Sequence, residues 1–388
     1  MTTTDHYDVI VVGVGGMGSA TVYELARRGK TVLGIDRFGI PNTMGSSHGL
    51  TRIIRMAYWE DVAYIPLLRR AYELWNETQA RAGEQLLYIT GGVDASAPDD
   101  DVYKGSRRAC ETHHLPHEDY DHTELSNRFP GFVLPKGMRA IYQPDAGFLL
   151  SERCIVAHVN LAMARGAIIH GHERVVNWEP AGEGVKVRTD RTTYSADKLV
   201  ITAGPWANKL LAPLLKELAV PERQVVAWLQ PKNPEPFRFG NLPVWIIQAP
   251  EGTFYGFPSW GIPGFKLGRI HHREETVDPD NMDRECHPED EAILWSFAKR
   301  YFPEAAGRAL SMETCIFTNT PKGHFIVDRH PDCPQVVLGA GYSGHGFKFA
   351  SVMGEILTEL AVDGKTRHNI SFLGLNRVGT WNRDLRSK

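Results

Sequence analysis

The run Asp8-Val9-Ile10-Val11-Val12 is short, β-branched and apolar, which predicts a strand buried on both faces. Met17, Val22, Leu25 and Ala26 then recur on one helical face, and Gly29 stands where a C-terminal cap belongs. Thr31–Ile35 predicts a second strand ending at Asp36. Residues 65–83 read as an amphipathic helix with Leu67, Leu68, Ala71, Leu74 and Trp75 on its apolar side. Residues 151–166 read as another helix, with Ser151 as N-cap and Gly166 as the stop. The polar stretch 95–101 reads as a solvated loop, and its aspartates Asp99 to Asp101 as a turn before a cation site.

Strand patterns crowd the second half. Residues 174–176, 184–189 and 199–202 predict a meander that returns to a buried parallel strand. Residues 225–229, 243–248, 253–257 and 265–270 are strand-like, with proline and glycine between them. A helix over 289–301 follows, then strands at 312–318, 325–327 and 336–338. The loop 339–346 opens a final helix running to about Val362. The fold class is α/β (α+β in total): a Rossmann-like dinucleotide-binding domain with an inserted, mainly antiparallel β-sheet domain for substrate. The first is assigned residues 1–85, 145–215 and 315–388; the second, 86–144 and 216–314.

Between the first strand and helix lies Gly13-Val14-Gly15-Gly16-Met17-Gly18, a GxGxxG. Gly13 permits the tight turn, Gly15 lets a pyrophosphate approach the backbone, and Gly18 lets helix and strand pack closely. The helix N-terminus supplies N–H groups and a positive dipole end. Asp36 stands at the right distance to accept hydrogen bonds from ribose hydroxyls. A lone GxGxxG is weak, but this one follows a strand, opens a helix and meets its acidic partner, so it predicts dinucleotide binding without choosing the cofactor.

Composition excludes several classes. In 388 residues, 42% are hydrophobic and 23% charged, an ordinary globular balance. The net charge of −3 offers no basic surplus for nucleic acid. The five cysteines form no CxxC pair, against a disulfide framework or zinc site. The adjacent histidines His271-His272 and His113-His114 would point to opposite faces of a strand, so no metal is expected. No apolar run spans a bilayer, the start Met1 to His6 lacks a signal-peptide pattern, and Arg386-Ser387-Lys388 is no peroxisomal address. A cytoplasmic protein without membrane or nucleic-acid partners is expected.

Four segments in order resemble the flavin-dependent amine oxidases of the monomeric sarcosine oxidase group, which includes N-methyltryptophan oxidase and pipecolate oxidase. They are the GxGxxG ending at Asp36; Gly45-Ser46-Ser47-His48-Gly49-Leu50-Thr51-Arg52-Ile53-Ile54-Arg55; Tyr255-Gly256-Phe257-Pro258 with Lys266-Leu267-Gly268; and Cys315-Ile316-Phe317-Thr318 with Gly341-Tyr342-Ser343-Gly344-His345-Gly346-Phe347-Lys348. The resemblance runs from about Tyr7 to Arg377. It implies FAD joined covalently to cysteine, and Cys315 matches that cysteine; without the resemblance, a free cysteine reads as a small buried hydrophobe.

By the same resemblance, Arg52 and Lys348 clamp the substrate carboxylate. Lys266 lies on the other flavin face and promotes oxygen reduction; by pattern alone it reads as a solvated strand position. Gly344, His345, Gly346 and Phe347 face the flavin, with His48, Ser46 and Thr51 nearby; Met17, Val175, Gly204 and Trp206 complete the cofactor set. Tyr255 enters the substrate pocket. His271 is the active-site histidine, with His272 an equal match because this segment is one residue longer. Phe317 replaces a tyrosine common in the group and Ile246 a methionine, which makes the pocket drier. The implied activity is oxidation of secondary α-amino acids of the sarcosine type by FAD and O2, yielding H2O2 and an imine that hydrolyses. Oxidation of cyclic imino acids such as pipecolate or proline, or a flavin dehydrogenase with another acceptor, are the alternatives. A monomer is expected.

Overall fold

The structure, a computed structural model, describes residues 6–377. The extreme termini read above for sorting signals lie outside that range. His6–Val12 pairs in parallel with Val32–Ile35 on one side and Thr193–Ile201 on the other. Ile168–His170 extends the sheet beyond Val32–Ile35, and Val336–Ala340 joins Thr193–Ile201 in parallel. The hairpin Val175–Ala181/Gly184–Thr189 and the strand Ile326–Arg329 add antiparallel edges. Alternation along the first strand explains the layering. Val9 and Val11 face a core shared with Val22, Leu25 and Ile356 from the covering helices, whereas Ile10 and Val12 face a second core with Leu33, Leu199 and Ile201.

A second eight-stranded sheet carries Val220–Leu229, Phe265–Arg269, Gly252–Phe257 and Val244–Ala249 in antiparallel neighbourship. Its core packs Trp245, Phe254, Phe265, Phe297 and Phe302 between strands and the helix Pro288–Tyr301. Ala309–Asn319 forms one continuous strand along Val220–Leu229, so the boundary drawn at 315 falls inside it. A third sheet of three short strands, Thr51–Ile54, Gly147–Leu150 and Leu87–Ile89, bridges the layers.

Several local expectations change. The loop expected over 95–101 splits: Gly92–Ser96 is a fully buried strand, and Asp101 begins the helix Asp101–His113. The strand runs parallel to Val244–Ala249 and antiparallel to Arg139–Gln143, and that burial overrides the polar composition. Ser151 is the first residue of its helix rather than the cap, and its hydroxyl donates to Glu152. The final helix starts at Ala350, after a 3-10 turn, Phe347–Phe349, that holds Lys348.

Candidate active site

Two cavities meet inside this framework. The first, about 370 Å³, runs along the glycine loop and is lined by Gly13, Gly15, Met17, Asp36, Ser46, Val175, Gly204 and Trp206. The glycines do what their spacing predicts. Gly13 has φ +90°, a left-handed conformation. A Cβ on Gly18 would lie 1.8 Å from the Gly13 carbonyl oxygen, which is the close approach of helix to strand. A Cβ on Gly15 would meet nothing nearer than Ser47 Oγ at 4.0 Å and would project into the cavity, the space a pyrophosphate needs. No side chain caps the helix Gly16–Arg27, so the loop suits an anion. These residues fit the dinucleotide half of FAD.

Asp36 is buried and accepts from Val14 N–H and Phe38 N–H, each at 2.9 Å. Burial raises its carboxyl pKa, and the two backbone N–H groups oppose that only in part. Trp206 donates its indole N–H to Asp280 at 2.7 Å, and Arg37 lies over both Phe38 and Trp206 while pairing with Asp280. Arg37, Phe38 and Asp280 line the cavity and carry no motif by which the sequence could have flagged them.

The second cavity, about 450 Å³, shares Arg52, Phe317, Ser343, Gly344 and Phe347 with the first. Gly344 has φ +77°, and a Cβ there would lie 2.4 Å from the Phe317 ring, so that wall accepts only glycine. Cys315 opens onto this cavity from Ala309–Asn319. Its sulfur lies 3.7 Å from Arg52 Nη2 and 3.8 Å from the Ser46 carbonyl oxygen. Burial pushes the thiol up, but His48 and Arg52 pull it further down, to about 7. His48 is itself buried, which opposes its charge, yet Cys315 and Glu313 hold it charged up to about 9. Glu313 stands 3.5 Å from His48 Nδ1. A thiolate beside an imidazolium is the state these shifts favour at neutral pH.

Lys266 is buried, not solvated. Its Nζ donates to Gly49 O at 2.5 Å, Thr51 O at 3.0 Å and Thr51 Oγ1 at 2.9 Å. It lies 4.4 Å from the Phe257 ring and 5.3 Å from Trp228, its two cross-strand neighbours. Burial lowers its pKa well below the usual lysine value; three acceptors and two ring faces work against that loss of charge.

Arg52 donates to Thr51 O and Ser46 O, each at 3.0 Å, on the wall common to both cavities. Arg55 also lies beside Lys348, in the cavity that both share with Arg52. Both cations lie over the Tyr58 ring, Lys348 at 5.2 Å and Arg55 at 4.8 Å. Arg55 donates from Nη2 to both Glu60 carboxylate oxygens, at 2.7 and 2.8 Å, and from Nη1 to Ala57 O at 2.5 Å, and lies 3.7 Å from Asp94. Burial lowers the Lys348 pKa, and Arg55 lowers it further, to about 7; Glu60 and Asp94 oppose this. His345 donates from Nε2 to Gly323 O at 2.9 Å, so its Nδ1 is the acceptor for the Tyr58 hydroxyl; burial depresses it to about 4 and keeps it neutral. Arg55, Glu60 and Tyr58 are the site residues that sequence reasoning did not assign.

Tyr255 and Ile246 line the same cavity. The paired histidines diverge. His271 lines the cavity and is bonded to Glu222, whereas His272 is fully buried, with Nε2 3.1 Å from Asp290.

Residues 8–360 match the family described as DAO, FAD dependent oxidoreductase. The chain is 40% identical over 376 residues to the monomeric sarcosine oxidase of Bacillus sp. (strain B-0618), covering 96% of each. It is 41% identical over 376 residues to the monomeric sarcosine oxidase of Streptomyces avermitilis, covering 96% of this chain and 98% of the relative. It also superposes on the open form of NikD, an unusual amino acid oxidase essential for nikkomycin biosynthesis, with TM-score 0.84 and 27% identity, over 96% of this chain and 98% of that one.

Proposed function

This chain belongs to the FAD dependent oxidoreductase family, and from that premise we propose that it is an FAD-dependent amine oxidase acting on N-methyl α-amino acids. The observation that carries the substrate class is the pair of cations Lys348 and Arg52, lining a cavity that opens onto the dinucleotide cradle. A carboxylate entering there finds the Lys348 ammonium and the Arg52 guanidinium on the wall common to both cavities, which fix the substrate's orientation. Arg55, with Nη2 on Glu60 and Nη1 on the Ala57 carbonyl oxygen, supports the site from behind. Arg52 also faces Cys315.

FAD, when bound, supplies the acceptor for the hydride equivalent taken from the carbon next to nitrogen. Cys315 is the residue that would tether it, with His48 and Arg52 holding the thiol deprotonated. The glycine loop and Asp36 would hold its dinucleotide half. Phe317, Ile246 and Tyr255 exclude water from the reacting end. Lys266 presents a cation behind Thr51, and its assigned role is to favour oxygen as the second substrate. The same reading makes the chain a cytoplasmic monomer. No helix among the described residues is long and apolar enough to cross a membrane.

Anaerobic titration with sarcosine, following the flavin absorbance, tests this. Bleaching is expected, with peroxide formed once air is admitted. Bleaching without peroxide would replace the oxidase by a dehydrogenase using another acceptor. The apolar Ile246 and Phe317 in a cavity of about 450 Å³ also favour bulkier amines, so bleaching by pipecolate or proline and not by sarcosine would move the assignment to cyclic imino acids.

A further inference from the structure

The substrate's amine nitrogen needs a partner as its carboxylate does. A secondary amine is an ammonium in neutral water, and it must shed a proton before its lone pair can assist loss of hydride. On the wall of the same cavity stands His271, its ring half-exposed.

His271 is held there by its surroundings. Its φ is +56°, in the left-handed region that histidine enters more readily than most residues. The flanking chain is pinned by Ile270 N–H to Thr253 O at 2.8 Å and His272 N–H to Gln224 Oε1 at 3.1 Å. His272 turns inward to Asp290, which sends its neighbour outward. The Nδ1 of His271 lies 2.7 Å from Glu222 Oε1. Glu222 is fully buried, and its carboxylate accepts from Gln224 Nε2 at 2.7 Å and from Asn319 Nδ2 at 3.0 Å. It sits on Val220–Leu229 directly across from Phe317, which lines both cavities. A carboxylate fixed this firmly accepts one hydrogen bond from the imidazole and so selects which nitrogen carries the proton.

We infer that Glu222 is a positioning residue that keeps His271 protonated on Nδ1, leaving Nε2 to take the proton of the substrate's ammonium. The ammonium N–H bond breaks as the Nε2–H bond forms. Neutral amine and imidazolium result, no electrons change hands, and the Glu222 carboxylate faces the new charge. This rests on the amine-oxidase reading above.

The test uses the holoenzyme labelled with 15N-histidine. Two-bond 1H–15N spectra report the tautomer of each neutral ring, and His271→Asn identifies the signal by its loss. The wild type is expected as the Nδ1–H form. Glu222→Gln keeps an acceptor oxygen and should retain that tautomer, while Glu222→Leu should release it to the Nε2–H form. In anaerobic stopped flow, Glu222→Gln should slow flavin bleaching by saturating sarcosine roughly tenfold or more. Binding of (methylthio)acetate, a carboxylate with no ammonium, should be unchanged by that substitution. A wild-type Nε2–H tautomer, or equal bleaching rates in wild type and Glu222→Gln, overturns the inference. Failure of both sarcosine bleaching and (methylthio)acetate binding in the wild type would instead remove the amine-oxidase reading, and the chemical step proposed for His271 with it.

Discussion

His48→Asn tests the electrostatics of the junction between the cavities. Cys315 sits at about 7 against an ordinary thiol value of 9.0. At pH 7 that makes it about half thiolate, where an unperturbed thiol would be about one per cent. Burial opposes this state, and the largest contributions that overcome it come from His48. Removing the imidazole should let burial push the thiol back up; a full return to the ordinary 9.0 is a loss of about fiftyfold in thiolate. A more basic thiolate is intrinsically the better nucleophile, by about six- to tenfold over two pH units. The net expectation is that Cys315 reacts about five- to eightfold more slowly. The assay is carboxamidomethylation of protein produced without flavin, at pH 7, with the Cys315 peptide followed by mass spectrometry. Cys110, pushed up to about 12 by burial, and Cys154, pushed up by complete burial, serve as folding controls that stay unlabelled. Equal labelling rates at Cys315 in wild type and variant, with both controls silent, would refute the reasoning.

Three further outcomes follow from other parts of the molecule. Because burial and Arg55 hold Lys348 down to about 7, binding of (methylthio)acetate should weaken as pH rises above 7, and Lys348→Met should abolish that slope in an absorbance titration. Gly18→Ala drives a Cβ to 1.8 Å from the Gly13 carbonyl oxygen and should yield protein without flavin, whereas Gly29→Ala, at φ +74° in open space, should cost only about 1 kcal/mol in denaturant melts. Glu355 is buried among Arg70, Arg367 and His368. Burial raises its carboxyl, but those three partners depress it below the usual 4.5. Its stabilisation is therefore present above pH 4.5 and lost as pH falls further. Glu355→Ala should destabilise the fold by about 3 kcal/mol at pH 7, read as a lowered Tm whose deficit shrinks in acid.

The elements legible in the sequence were those whose pattern has one explanation. A β-branched apolar run, a GxGxxG and a helical stripe placed the first strand, loop and helix. The stretch Gly92–Ser96 was not legible, because Asp94 and Ser96 look solvated until they are paired. Their burial depends on partners at Ser106, Tyr103 and Arg55, the last 39 residues upstream. Lys266 shows the same limit. An alternating strand predicts that it leaves the face of Phe265 and Leu267, but the opposite face is itself covered by Gly49 and Thr51, from a loop and a short strand that no periodicity announced.

That short strand also explains how the two arginines divide their work. Arg52 and Arg55 lie in one polar cluster of the sequence, and without a strand there they read as one binding unit. Thr51–Ile54 pairs antiparallel with Gly147–Leu150, with Arg52 opposite Leu149. Successive side chains in such a strand alternate faces, so residues three apart diverge. Arg52 turns to Ser46 and Cys315. Arg55, one residue past the strand, turns to Glu60 and Asp94 and shares the Tyr58 ring with Lys348. Arg52 therefore lowers the pKa of a thiol, while Arg55 stands behind the proposed carboxylate site. It follows that Arg52→Met should slow alkylation of Cys315 in the flavin-free protein, while Arg55→Met should leave that rate alone and weaken (methylthio)acetate binding to the holoenzyme. Equal alkylation rates in the two variants would refute this division.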